Sequence, residues 1–245
     1  MTEKRLTGLV YRGLYKIWRL LPDALRGRVY RVRWLNRTKA SVRDAAAAFA
    51  GRDDIYNVDY YRLVDQMAGR SVEPISASMV VEFKPRTVVD VGCGTGALLM
   101  ALARHGVPGT GLEYSESALE VCRQRRLDVE KFDLTRDALA GGRRYDVAIS
   151  TEVAEHILAE YADRLVGLIV AFSDNVVFTA ATPGQGGGTD HVNEQPHEYW
   201  LRKFADQGFA FDEPVSLRWR SEWRSAGVEA CYFQNVMVFR KRVMG

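Results

Sequence analysis

Little in this sequence is exceptional, and each absence narrows its class. There are 3 cysteines, Cys93, Cys122 and Cys231. An odd, scattered set excludes a disulfide framework and a zinc knuckle, and it suits a reducing compartment such as the cytoplasm. No stretch approaches about 18 apolar residues without a charge, so nothing reads as a membrane span. There is no internal repeat, and low complexity is confined to Ala45–Ala48 and the cluster Gly184 to Gly188. Acids are nearly missing from residues 1–43, where Glu3 and Asp23 face twelve Lys or Arg. With a net charge of +3, that arm carries +10 and the remaining 202 residues carry −7.

What is present is ordinary for a folded chain. Of 245 residues, 47% are hydrophobic and 27% charged, enough for one large domain or a domain with an appendage. The first 82 residues read as a basic helical arm or cap. Leu6, Val10, Leu14, Ile17, Trp18 and Leu21 recur at helical spacing, and Pro22 ends that helix. Further helices are expected over Leu25 to Lys39, over Val42 to Phe49 behind Ser41, near Asp59–Met67, and near Ile75–Glu82.

From residue 83 onward strands alternate with helices. Strands are expected over Thr87–Val91, Thr110–Tyr114, Asp128–Phe132, Tyr145–Ser150 and Asn175–Ala180. Helices are expected over Ala97–His105, Ser117–Arg126, Ala154–Phe172 and Glu198–Gln207. Phe211–Leu217 and Cys231–Phe239 read as a closing strand pair with no helix between them. The pattern predicts an α/β fold: a seven-stranded, mostly parallel, Rossmann-like sheet with an antiparallel C-terminal hairpin.

The stretch VVDVGCGTG, Val88 to Gly96, sits between a buried strand and a helix. That is where glycines let the backbone approach a ligand. Its spacing is neither the dinucleotide G-x-G-x-x-G nor a P-loop. Asp90 at the strand end would repel a pyrophosphate and welcome a cation. The expected ligand is a positively charged nucleoside without phosphates.

On this motif, residues 85–240 resemble the class I S-adenosylmethionine-dependent methyltransferases. The resemblance implies a cofactor site formed by Asp90, Gly92, Cys93, Gly94 and Gly96 under the methionine moiety. Glu113, beside Tyr114 in GLEYS, would bind the ribose hydroxyls, for which two carboxylate oxygens are suited. Asp133 would contact the adenine amino group, with Phe132 and Leu134 flanking the ring. Thr151 and Glu152 would close the methyl-donor pocket.

A second constellation is Glu152-Val-Ala-Glu155-His156. On a helix these side chains would share one face. Downstream lie His191, Glu194 and His197. Neutral imidazole is a general base near neutral pH, so His156 and His191 are the catalytic candidates for deprotonating a hydroxyl. E-x-x-E-H also resembles the O-methyltransferases of the ubiquinone pathway and the small-RNA 2′-O-methyltransferases, where the resemblance implies a divalent metal. Glu152, Glu155, His156 and His191 are the candidate ligands, better suited to manganese, iron or zinc than to magnesium. Two readings stay open: a metal centre, or a metal-free pocket lined by His156. His197 at a helix start reads as structural, and the Gly-rich loop as a lid.

The expected activity is methyl transfer to a small-molecule hydroxyl. The alternatives are a membrane-associated quinone or lipid methyltransferase and a metal-dependent RNA ribose 2′-O-methyltransferase. The acidic body argues against nucleic acid as a partner. The basic helices of residues 5–39 offer peripheral contact with an anionic membrane surface, a cap, or a homodimer element. Tyr60 or Tyr61 is expected to touch the ligand. Trp219 and Trp223, with Arg218, Arg220 and Arg224, either bind an acidic or aromatic substrate or cover a sheet edge.

Overall fold

Three strands, Val147–Thr151, Asn175–Thr179 and Met237–Lys241, carry continuous buried apolar runs, and such runs belong in a sheet covered on both faces. The computed structural model describes residues 58–137, 142–185 and 191–242. The basic arm, the Tyr60 side chain and residues 186–190 of the Gly-rich loop lie outside the described residues. In order, the elements are helix α1 (Val58–Phe83), strand β1 (Val88–Val91), α2 (Ala97–Arg104), β2 (Gly109–Glu113), α3 (Glu116–Gln124) and β3 (Asp128–Lys131). There follow β4 (Val147–Thr151), single 3-10 turns at Ala154–His156 and Ala159–Tyr161, α4 (Ala162–Phe172) and β5 (Asn175–Thr179). The chain closes with α5 (His197–Asp206), β6 (Phe209–Phe211), α6 (Glu213–Ser225), α7 (Ala230–Asn235) and β7 (Met237–Lys241).

The seven strands form one sheet in the order β3-β2-β1-β4-β5-β7-β6. β1 to β5 pair in parallel, and β7 runs antiparallel between β5 and β6. Period-two alternation sends successive side chains to opposite faces. Val88, Val147, Ile149, Val177 and Val238 pack with α1, α2 and α6 on one face. Val89, Val91, Ala148, Val176, Phe178 and Phe239 pack with α4 and α5 on the other. The β3 edge, DVEK, is largely exposed, and charges there discourage pairing with another chain. Among the described residues no helix is long and apolar enough to cross a membrane.

Three local expectations are corrected. The two short helices expected near residues 59–67 and 75–82 are one helix, α1, which runs through Pro74. An interior proline costs about 3 kcal/mol. Ala68, Val72, Ile75 and Met79 offset that cost by burying one stripe against Leu98, Leu99 and Leu102. α1 belongs to the compact unit Tyr56–Gly245.

The long helix expected over Ala154–Phe172 is broken. Ile157 and Leu158 are extended, and the Glu155 carbonyl accepts the N–H groups of Val192 (2.8 Å) and Asn193 (3.0 Å) instead of an intrahelical donor.

The closing pair is antiparallel, but it is not a hairpin, because α6 and α7 lie between β6 and β7. Asp212 caps α6 by accepting the Val215 N–H at 3.3 Å. Val215, Trp219 and Trp223 recur every four residues and bury against α1. Trp219 and Trp223 are therefore core residues that help α6 cover the β7 side of the sheet, and they are buried away from any substrate. They stack at 5.3 Å, Trp219 meets Phe83 edge-on at 5.9 Å, and Trp223 Nε1 donates to Ser78 Oγ at 2.9 Å. Trp219→Ala is expected to lower stability to urea by about 3–5 kcal/mol, as for other buried large-to-Ala changes. A loss under about 1 kcal/mol would contradict this packing role.

Candidate functional site

Parallel strands β3-β2-β1-β4 bring their C-terminal ends to one edge, where an open α/β sheet binds ligands. Gly92, Gly94 and Gly96 follow β1 with φ of +80°, +53° and +75°, backbone that only glycine adopts cheaply. The turn is pinned to its neighbour: the N–H groups of Gly92 and Cys93 donate to Leu112 O at 2.8 and 3.2 Å. Beneath it, the thiols of Cys93 and Cys122 both approach Gly94 O. Among the described residues, a Cβ on Gly94 would have only Tyr61 Cε1 nearby, at 3.8 Å, so they leave this face of the turn open and Tyr61 borders it.

Buried acids surround the turn. Asp90 is 3% exposed, and its Oδ1 has no hydrogen-bond partner among the described residues. Burial, and then the Glu113 charge, push its pKa up to about 7. Glu113 accepts the N–H of Gly94 through Oε2 (2.9 Å) and of Ser115 through Oε1 (2.8 Å). Burial outweighs these bonds and holds its pKa above the usual value. Each Glu113 oxygen keeps acceptor capacity for a further donor. After β3, Asp133 Oδ1 closes its own turn by accepting from Thr135 N (2.9 Å) and Oγ1 (2.6 Å). Phe132 and Leu134 rest on the core beside it, and Phe132 N–H donates to Glu113 O at 2.9 Å. Tyr114 lies between Glu113 and Ser115, half-buried.

After β4, Thr151 ends the strand and Glu152 takes a left-handed φ of +54°. That strain is held by its N–H, which donates to Thr179 Oγ1 (3.0 Å) and Thr179 O (3.2 Å). Among the described residues, Glu152 Oε1 and both Glu155 oxygens are buried with no donor within hydrogen-bond geometry, and the two carboxyl groups are close neighbours. Burial pushes Glu152 up to about 7. Burial and then the adjacent Glu152 charge push Glu155 well above the carboxylate range.

His156 and His191 meet edge-on at 4.9 Å between ring centroids. Ligand atoms of Glu155, His156 and His191 lie within 4.8 Å of one another. Three of the four proposed metal ligands thus converge, while Glu152 stands outside the group. They converge through the bonds from Val192 and Asn193 to the Glu155 carbonyl, not through a shared helix face. His191 Nδ1 lies 2.9 Å from Glu194 Oε1.

Several residues beside the edge carry no motif. Buried Asn235 donates through Nδ2 to Gln185 Oε1 (2.8 Å) and accepts from Gln185 Nε2 (3.0 Å), tying the start of the Gly-rich loop to α7. It also lies 3.4 Å from His197 Nε2. Tyr232, on the same short helix, has its hydroxyl pKa raised by burial. Reading this segment as a strand hid both residues. Asp65 and Arg125 likewise reach the glycine turn without any sequence signal.

A family model described as "Methyltransferase domain" matches residues 60–228. A ubiquinone biosynthesis O-methyltransferase of Coxiella burnetii is 36% identical over 86 residues, 31% of this chain and 35% of that protein. The mitochondrial ubiquinone biosynthesis O-methyltransferase of Arabidopsis thaliana is 29% identical over 156 residues, 60% of this chain and 48% of that protein. The chain thus spans between a third and a half of the length of these relatives. Its fold is similar to that of a Synechocystis magnesium protoporphyrin IX methyltransferase solved with S-adenosylhomocysteine. The TM-score is 0.57 at 17% identity, over 77% of this chain and 97% of that one. It is also similar to an S-adenosylmethionine-bound amino pentose methyltransferase of Micromonospora echinaspora, with a TM-score of 0.55 at 16% identity, over 75% and 97% of the two chains. A glycine turn ringed by buried acids at the parallel strand ends thus coincides with a family match over well over half of the chain, and the chain belongs to the methyltransferase-domain family.

Proposed function

We propose that this chain binds S-adenosylmethionine at the glycine turn and directs its methyl group to a hydroxyl of a small molecule. The observation that carries the reading is Asp90, buried beside that turn with its Oδ1 lacking a hydrogen-bond partner among the described residues. A buried carboxylate without a partner is costly unless a ligand supplies one, and a cation with donor groups fits. Bound there, the cofactor supplies an electrophilic methyl on a sulfonium.

The chain's own residues then orient and deprotonate. Glu113 takes the ribose hydroxyls, Asp133 the adenine amino group, and Phe132 and Leu134 the ring. Thr151 and Glu152 border the methyl side. Glu194, 2.9 Å from Nδ1 of His191, orients that ring. His156 and His191 therefore stand as the groups that accept the acceptor's proton. The relatives named for ubiquinone biosynthesis favour a phenol or catechol hydroxyl. Residues 5–39 would suit such an acceptor drawn from a membrane surface.

The convergence of Glu155, His156 and His191 favours one further reading. A manganese, iron or zinc ion would be held by these three residues and would acidify a bound hydroxyl.

Calorimetry with S-adenosylhomocysteine tests the cofactor site, and absence of binding would overturn it. His156→Ala and His191→Ala are each expected to cut turnover of a catechol by about 10²–10⁴-fold, with S-adenosylhomocysteine affinity retained. Full rates in both variants would remove the histidine-base assignment.

A further inference from the structure

Most of the glycine turn is anchored to the sheet, but Thr95 is anchored elsewhere. Its side chain is buried, and Oγ1 donates to Asp65 Oδ1 on α1. Its carbonyl accepts from Arg125 Nη1 at 2.9 Å, from the residue that ends α3. Arg125 closes the triangle by donating to both Asp65 oxygens, at 3.3 Å (Oδ1) and 2.5 Å (Oδ2). Thus two helices, 60 residues apart at this pair, grip one turn residue from both its side chain and its carbonyl. Thr95 lies between Gly94 and Gly96, both left-handed. Glycine backbone has no intrinsic preference for that shape, so outside bonds must select it.

The same contact places Tyr61. It stands one helical turn before Asp65 on α1, and its ring borders the open face of Gly94. Besides the grip on Thr95, the first turns of α1 carry the Tyr61 ring, buried at that face. Asp65 and Arg125 are each 27% exposed, so the pair is neither a fully solvated bridge of negligible worth nor a buried charge.

We infer that Asp65, Arg125 and Thr95 form a positioning latch that shapes the glycine turn and holds Tyr61 against it, setting cofactor affinity without entering the chemistry. The inference rests on the cofactor reading above. A bidentate Arg–carboxylate pair adds geometric specificity that a lysine cannot copy. Charge alone therefore does not restore the latch.

Calorimetry with S-adenosylhomocysteine and steady-state kinetics test it together. Asp65→Ala and Arg125→Ala are each expected to raise the Kd for S-adenosylhomocysteine and the KM for S-adenosylmethionine by about tenfold. The value of kcat at saturating cofactor should stay within about twofold, because the latch acts on binding and not on the reacting atoms. Arg125→Lys, which keeps the charge and the fold, should still lose affinity. The double variant should be little worse than either single one, since residues of one network are not additive. Unchanged Kd in the single variants, a fall in kcat without a change in KM, or multiplying effects in the double variant would overturn the latch. If the wild-type protein fails to bind S-adenosylhomocysteine, the cofactor reading and the latch fall together. If it binds and the variants bind equally well, only the latch falls.

Discussion

Gly92→Ala is expected to destabilise the protein by about 2–5 kcal/mol and to remove cofactor binding. The left-handed backbone at φ +80° costs an L-residue about 1–2 kcal/mol. The new methyl adds a collision, because its carbon would lie 2.4 Å from Val153 Cγ2 and 2.9 Å from Cγ1. Valine is stiff at χ1 and cannot swing aside, so overpacking adds about 1–3 kcal/mol. Val153 follows Glu152 and precedes the Ala154–His156 turn, so relief of the clash would displace Glu152 and Glu155. Gly94→Ala separates the two effects. There, among the described residues, the added carbon would meet only Tyr61, at 3.8 Å, so the stability loss should stay near the backbone cost of about 1–2 kcal/mol. The methyl would still occupy the open face, and cofactor affinity should fall. Urea unfolding and calorimetry on both variants read the contrast. Equal stability losses in the two would refute the packing at Val153, and intact affinity in Gly94→Ala would refute the open face.

The stability of the ligand-free protein should fall as pH rises from about 4 to about 7. Asp90 titrates near its ordinary value of 3.8 when unfolded and near 7 when folded, because burial and the Glu113 charge disfavour its anion. Between those values the folded state binds more protons, so the slope of stability with pH is negative. The cost is fully present above pH 7 and vanishes as pH falls to the unfolded value. Over this span it amounts to on the order of 4 kcal/mol. Asp90→Asn should therefore be more stable than wild type at pH 8, with the gap narrowing toward pH 4, and should bind cofactor more weakly. In the wild-type protein, S-adenosylmethionine should bind more tightly above pH 7, where the Asp90 anion is available. Denaturant unfolding across this range checks the slope, and a flat difference between Asp90→Asn and wild type would show that Asp90 is ionised throughout.

Much of this protein was legible from sequence because its signals are local. The run Val88 to Gly96 holds strand, turn and helix start within nine consecutive residues, so motif and geometry coincide. The alternation of apolar strands with amphipathic helices predicted the parallel sheet, because burial on both faces demands that texture. Tertiary structure alone decided the rest. Trp219 and Trp223 read as residues of the connection between the last two strands until α1 supplied the surface that makes their four-residue spacing helical. The break after His156 came from two N–H groups near residue 192 taking the Glu155 carbonyl, a competition that no local pattern records. The grouping of Glu155 and His156 with His191, and the grip of Asp65 and Arg125 on Thr95, join residues that are far apart in the chain. Side-chain chemistry can nominate such residues, but only chain packing brings them within bonding distance.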